Sequence, residues 1–335
     1  GYDAVNVTIE RVRVHKSATA DDGDAGWVDL VFTQPKKVNL LDLTNGVLEE
    51  LGSTQLEAGR YTQMRLVLAS GANANTIVPA GGTERPLTTP SATQSGLKLN
   101  IGIDVAANAV ADAVLDFDAC KSIVSAGKSG KYLLKPVITV LPRTAAAVQS
   151  VAGYVVPALA NGQTQISLQH NGVVLRSTVP WADGRFLLSP LPQTGSYDLV
   201  ISSSGRVTAV MTGVPVTSTG LTTINTALNP ISLDGSATAR ASGSAVTSAT
   251  PPTVPDATVR ALQTWGTAPA QTTIEVAARR VDADDGSYAF TLPTAPPVTA
   301  AYVAGAPTIA FVAQTAAAGQ YRLEAAVPGR ASQFA

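Results

Sequence analysis

The chain has 335 residues, a formal net charge of −1, and 14% charged, 5% aromatic and 45% apolar residues. A nucleic-acid binder needs a basic excess to neutralise phosphates, and a disordered chain lacks this much apolar content, so both classes are excluded. One Cys excludes an intrachain disulfide framework and every multi-Cys metal site, and two His exclude a His-rich metal centre.

Period-2 alternation runs through almost the whole chain and predicts an all-β fold. Val5, Val7 and Ile9 share one face of the opening strand. Val12 and Val14 continue it one residue out of phase, which places a β-bulge at Glu10-Arg11. Further strands are expected at Trp27–Phe32, Val38–Leu43, Arg60–Leu68, Leu97–Val105, Ala113–Phe117 and Tyr132–Leu141. Two short helices are expected, Thr44–Leu51 and Ala119–Ala126, the second stopped by Gly127. Together these elements define a first domain over residues 1–143.

Two smaller units follow, over 149–233 and 236–335, and they resemble each other. Ala152-Gly153-Tyr154 opens one and Ser242-Gly243-Ser244 the other. Asp183-Gly184-Arg185-Phe186 is matched by Asp285-Gly286-Ser287-Tyr288. The first hairpin closes on Leu191-Pro192 and the second on Leu292-Pro293. Gly195-Ser196-Tyr197-Asp198-Leu199 is matched by Gly319-Gln320-Tyr321-Arg322-Leu323. Asp-Gly supplies a turn with φ > 0, after which an aromatic and aliphatics alternate into a core. The pattern predicts a divergent repeat, and three tandem β-sandwich domains in all.

Charge is unevenly spread. Lys is confined to the first domain, ending at Lys135, and Arg143–Arg176, Arg206–Asp234 and Asp285–Arg322 bound windows without charge. Such a Thr/Ser/Ala-rich surface suits a secreted or cell-surface protein. The chain starts at Gly1 without Met, so processing or truncation is expected. No stretch reads as a membrane helix: Val298–Ala313 is short and interrupted by Pro307.

Few residues carry candidate chemistry. Asp21, Asp22 and Asp24 cluster in one Gly-containing loop, and Asp282, Asp284 and Asp285 in another. Each is a candidate calcium site by its oxygen ligands, or a polar hairpin loop. No other cofactor is expected. Asp116 and Asp118 stand on one strand face, open to acid–base work or to capping the Ala119 helix. Gly127-Lys128-Ser129-Gly130-Lys131 lacks the leading Gly of a phosphate loop, Ser122 standing there, and reads as a turn. His15 and His170 have no nucleophile elbow to serve. His170 belongs to Gln169-His170-Asn171-Gly172, a hairpin turn. Cys120 reads as a small buried residue, with a disulfide to residues before Gly1 as the alternative. Tyr61, Tyr154, Tyr197, Tyr288 and Tyr321 read as core or sheet-face residues, with sugar stacking as the other use.

The Asp-Gly-x-Tyr/Phe-x-Leu, Leu-Pro and Gly-x-Tyr-x-Leu pattern resembles the carboxypeptidase regulatory-like and collagen-adhesin B-type families. That resemblance implies transthyretin-like or immunoglobulin-like sandwiches, mostly non-catalytic spacers of surface proteins. Lys–Asn isopeptide bonds occur in some adhesin B-type domains, and the Lys-free second and third domains exclude them there. Residues 2–142 resemble a bacterial secreted lipoprotein family, domain of unknown function 4382. The residues that carry this are Val12-Arg13-Val14-His15, Leu43-Thr44-Asn45-Gly46, Ala58 to Leu66, Ser95 to Leu99, Asp116-Phe117-Asp118 and Leu134-Lys135-Pro136. It implies no catalytic residues. Such domains usually begin with a strand before the segment that starts here at Tyr2. Its absence leads to the expectation of an open edge that another chain fills by β-strand addition.

The reading is therefore a non-catalytic structural protein of the bacterial cell surface or extracellular matrix, a candidate filament subunit. Its expected partners are further copies of itself or other surface proteins, with no nucleic acid, no transmembrane segment, and a candidate lipid anchor before Gly1. Residues Ala331 to Ala335 are one candidate donor segment. The alternative is a lipid-anchored binding module for a glycan or protein, carried on the sandwich loops.

Overall fold

The computed structural model describes the chain except residues 45–46, 90–94, 144–148, 192, 219, 269–270, 328–330 and 335, with backbone alone at 119–120 and 142–143. The fold is all-β. It divides into two units, Gly1–Ala145 and Ala146–Ala335. The expected domains over 149–233 and 236–335 both lie in the second.

In the first unit, β1 (Tyr2–His15) is central. One edge pairs with β2 (Val28–Asn39). The other pairs with β3 (Gly59–Leu68) and β4 (Thr76–Pro79), placed end to end. The register of β1 shifts between Ile9 and Arg11 against both β2 and β3, where the alternation of apolar residues breaks. Between β3 and β4 the Asn75 side chain takes the place of a strand backbone, accepting from Thr8 N at 2.9 Å. β5 (Arg85–Thr88) pairs with β4, and β6 (Leu97–Val105) with β3. β7 (Asp112–Phe117) leads into a one-turn helix, α1 (Ala119–Ser122), and then β8 (Ile123–Ala126). β8 hairpins with β9 (Lys131–Leu134), which runs parallel to β5. β10 (Ile138–Arg143) returns to pair, among the described residues, with β7 alone.

Several expected elements are corrected. The Ala119 helix stops at Ser122 because the β-branched Ile123 and Val124 enter a buried strand. Residues 47–51 of the expected Thr44 helix are not helical, and Leu51 instead packs against the core beside β2. Residues 45–46 lie outside the described residues. Val28–Asn39 is one bulged strand rather than two, followed by a 3-10 turn at Leu40–Asp42. Tyr132–Leu141 breaks in two at Lys135-Pro136, where proline removes a ladder donor.

The second unit holds the repeats. β11 (Ser150–Tyr154), β12 (Thr164–His170), β13 (Val173–Thr178), β14 (Arg185–Leu188), β15 (Gly195–Ser203), β16 (Ala209–Val216) and β17 (Leu221–Thr223) build the first. They form a sheet ordered β14-β11-β17 and a facing sheet beginning β13-β12-β15-β16. Val151, Val155, Phe186, Ile166, Leu168, Leu199 and Met211 fill one core from both sheets. The second repeat has β18 (Thr238–Ser244), β19 (Thr258–Trp265), β20 (Thr272–Arg280) and β21 (Ser287–Pro293). After these come β22 (Val298–Ala301), β23 (Val312–Ala313), β24 (Arg322–Ala326) and β25 (Gln333–Phe334). Its sheets are β18-β21 and β20-β19-β24-β25.

The two Asp-Gly turns make like contacts. Gly184 and Gly286 both have positive φ, +84° and +71°. A Cβ on either would lie 1.9 Å from Val155 O or 2.3 Å from Ala245 O, so only glycine fits the turn. Val155 N and Ala245 N donate to the Gly184 and Gly286 carbonyls, both at 2.9 Å.

Apolar packing joins the repeats. Val200 and Val210 point away from the first repeat's core into that of the second, beside Val259, Ile274 and Phe290. Leu199, Val200 and Ile201 are therefore buried consecutively, because this sheet is covered on both faces. The segment between β21 and β24 also leaves the second repeat. β22 adds to the edge of β16 in parallel register, and β23 pairs with β22.

Candidate functional site

The first unit is unevenly layered. Its larger sheet has eight strands, and the sheet β7–β10 has two. Leu115 and Phe117 on β7, and Ile138 and Val140 on β10, turn toward the common core yet stay partly exposed, as do Ile101 and Ile103 on β6. The second unit's first core has a shorter fringe, four of whose members, Val298, Tyr302, Ile309 and Phe311, come from the segment between β21 and β24.

The exposed edge follows from the ladder. Asp118 N donates to Val137 O at 2.9 Å. Alternation then turns the backbone groups of residues 116, 114 and 112 toward β10, and those of Ala113, Leu115 and Phe117 away from it. On β10 the outward positions are 138, 140 and 142, and Pro142 has no N–H to offer. β10 also lies against β6. The outer edge of β7 thus presents a run of donors and acceptors beside a partly covered apolar row. Among the described residues its one ladder partner is β10. β1, by contrast, is paired on both edges.

The first acidic loop folds over the outer face of β1 and β3. Asp22 Oδ1 accepts from Arg13 at 2.6 Å and lies 3.6 Å from Arg65. Asp24 Oδ2 accepts from Asp21 N, and Trp27 Nε1 donates to Asp21 O. The Trp27 ring is flanked by Arg13 and Arg65, at 4.9 and 5.0 Å from its centroid, and by His15 at 5.0 Å. Arg65 and Gln63, both buried, donate to Ala20 O. Guanidinium groups therefore hold Asp22, one of the three candidate ligands in this loop. In the second loop Asp282 Oδ1 accepts from Asp284 N, and Asp285 Oδ1 from Ser287 N. These are turn contacts. Among the described residues no three His, Cys, Asp or Glu side chains are grouped to hold a metal ion.

The remaining candidates are dispersed. Asp118 caps α1, accepting from Lys121 N at 3.0 Å. Asp116 faces Thr139 across the ladder. Gly127 to Gly130 form the β8–β9 turn. Asn171 and Gly172, both at positive φ, form the β12–β13 turn, and His170 meets the Tyr197 ring edge-on at 5.9 Å. Burial raises the Asp198 carboxyl above its ordinary value, and nearby His170 opposes the shift. Burial also raises the Tyr321 hydroxyl, which donates to Pro293 O at 2.8 Å. The Cys120 side chain and residues Pro192 and Ala335 lie outside what is described.

Sequence reasoning missed the contacts that lock the repeats. Gln169 is fully buried and hydrogen-bonds both backbone groups of Glu275. Arg260 donates to Gly172 O, to Glu275 Oε2 at 2.5 Å and to Glu324 Oε2 at 3.4 Å. A polar residue among apolar neighbours on a strand was the available signal.

No helix among the described residues is long and apolar enough to cross a membrane. No curated protein matches the chain significantly. Among the similar solved structures, two match at 18% and 21% identity with TM-scores of 0.23 and 0.22. They are an N-terminal and a C-terminal interface mutant of a type II cohesin–X-dockerin complex from Acetivibrio cellulolyticus. In each, 26% of this chain aligns with 58% of the matched chain, so it spans under two thirds of their length. Residues 1–136 match the family model described as Domain of unknown function (DUF4382), which covers most of the first unit and supports the resemblance read from Val12 to Pro136.

Proposed function

We propose that this chain is a non-catalytic structural protein of the bacterial cell surface or extracellular matrix, assembling into filaments by β-strand addition. The observation that carries the reading is the two-stranded β7–β10 layer, whose outer β7 edge lies beside partly exposed Leu115 and Phe117. An added strand would satisfy the outward backbone groups of residues 113, 115 and 117 and cover the apolar row. The second unit serves as a spacer. Two repeats that share apolar contacts and a buried amide clamp resist bending better than two beads on a linker. The charge-poor surface and the resemblance to surface-protein spacers support an extracellular location.

The test is sedimentation velocity of the purified chain over a wide concentration range, with electron microscopy of the same samples. Oligomers growing with concentration into filaments of regular axial repeat are expected. A monomer at every concentration overturns the reading.

A further inference from the structure

Residues 294–319 leave the second repeat and return to it at one neck. Thr294 N donates to Ala237 O on the way out, and the neck closes where Gly319 lies beside Thr294. Between these points the chain gives no strand to either sheet of its own repeat. It goes instead to the neighbouring repeat. Val298 to Ala301 pair in parallel with Ala209 to Thr212, and Val298 N and Tyr302 N donate to Thr208 O and Thr212 O. Val298, Tyr302, Ile309 and Phe311 then pack against the first repeat's core. The arm thus acts as a donor strand, and β16 as its acceptor.

We propose that the β16 edge is a strand-acceptor site and that its second occupant is the same arm from another copy of the chain. This deepens the reading of a self-associating surface protein by naming a second element that passes between copies. Three observations carry it. Exchange would recreate every acceptor contact with an identical segment. The arm is tied to its own repeat at its base, where buried Ala317 accepts from Gln263 at 3.0 Å, and beyond that base the stretch 298–314 moves as one piece. The arm carries no charged residue, so its transfer breaks no ion pair.

Thr212 and Ala301 face each other across the pairing, and Ala301 is exposed. The test uses single variants Thr212→Cys and Ala301→Cys, and the double variant, all in a Cys120→Ser background, oxidised at low and high concentration. The double variant at low concentration is expected to form an intramolecular crosslink, confirming the register. A mixture of the single variants at high concentration is expected to give a Thr212→Cys/Ala301→Cys heterodimer, in clear excess over the homodimers that each variant gives alone. A quantitative crosslink in the double variant with no such heterodimer would overturn exchange. Absence of the crosslink in the double variant would overturn the acceptor site itself. Repeating the mixture with Leu115→Pro separates this from assembly through β7, because the heterodimer is then expected to persist while filaments are lost.

Discussion

The Gln169 side-chain amide pairs with the Glu275 backbone as a strand would, donating to its carbonyl at 2.9 Å and accepting from its N–H at 2.8 Å. Glu275 lies on β20, an edge strand, beside the register shift opposite Ala261 and Leu262. One buried amide therefore closes part of an edge that would otherwise expose its polar groups. Gln169→Leu keeps the bulk and leaves two buried backbone groups unsatisfied. At about 1–3 kcal/mol for each such group, the variant should lose roughly 2–6 kcal/mol in denaturant unfolding. A loss no larger than that of an exposed substitution would refute the clamp.

Gly153 and Gly243 are equivalent by repeat and unequal by packing. A Cβ on Gly153 would lie 2.7 Å from Phe186 Cζ and 2.8 Å from Asn225 Oδ1, both held in place by burial and hydrogen bonds. On Gly243 it would meet the Tyr288 hydroxyl, the end of a partly exposed side chain that can swing away. Gly153→Ala should cost about 1–3 kcal/mol by overpacking, and Gly243→Ala clearly less. Thermal unfolding of the two variants checks the order.

Asp198 gives a pH signature. Its folded carboxyl titrates above the 3.8 of an exposed Asp because burial penalises the charge. The folded state thus holds this proton more tightly than the unfolded chain. The contribution to stability is full below 3.8 and is lost as pH rises through the raised value. Asp198→Asn should therefore be more stable than the parent near pH 7, with the gap narrowing toward about pH 3. A gap that widens on acidification would contradict this.

The loop over β1 should be indifferent to calcium, since the Asp22 carboxylate is held by Arg13 and Arg65. Millimolar calcium or a chelator is expected to leave the melting temperature unchanged. Arg13→Gln should loosen the loop and shift Trp27 emission, because Arg13 joins Asp22, Asp29 and the Trp27 ring. A calcium-dependent rise in melting temperature would restore the cation reading.

Strands with one apolar face were legible. Leu97–Val105 matches β6 residue for residue, and the Ile9/Arg11 shift was visible as a break in phase. The repeated Asp-Gly turns were legible because only glycine survives 1.9 and 2.3 Å from a carbonyl oxygen. What stayed hidden depends on partners distant in sequence. Ala209 to Thr212 cannot announce that Val298 to Ala301 will lie beside them. Val200 is buried by residues that lie far away in sequence, Val259, Ile274 and Phe290. The acidic loop read as a calcium candidate or a polar hairpin loop, and the Arg13 and Arg65 contacts to Asp22 arise only once β1 and β3 are paired. Local pattern fixes a strand, and tertiary pairing decides which of its edges and faces remain open.

The most direct measurement compares the chain with Leu115→Pro by sedimentation and electron microscopy. Proline removes the outward N–H at the middle of the β7 edge and leaves the bonds to β10 in place. The account predicts filaments from the parent chain, and a variant that melts below the parent, because Leu115 packs against the core, yet stays folded and monomeric. A parent that never assembles, or a variant that assembles as the parent does, would contradict it.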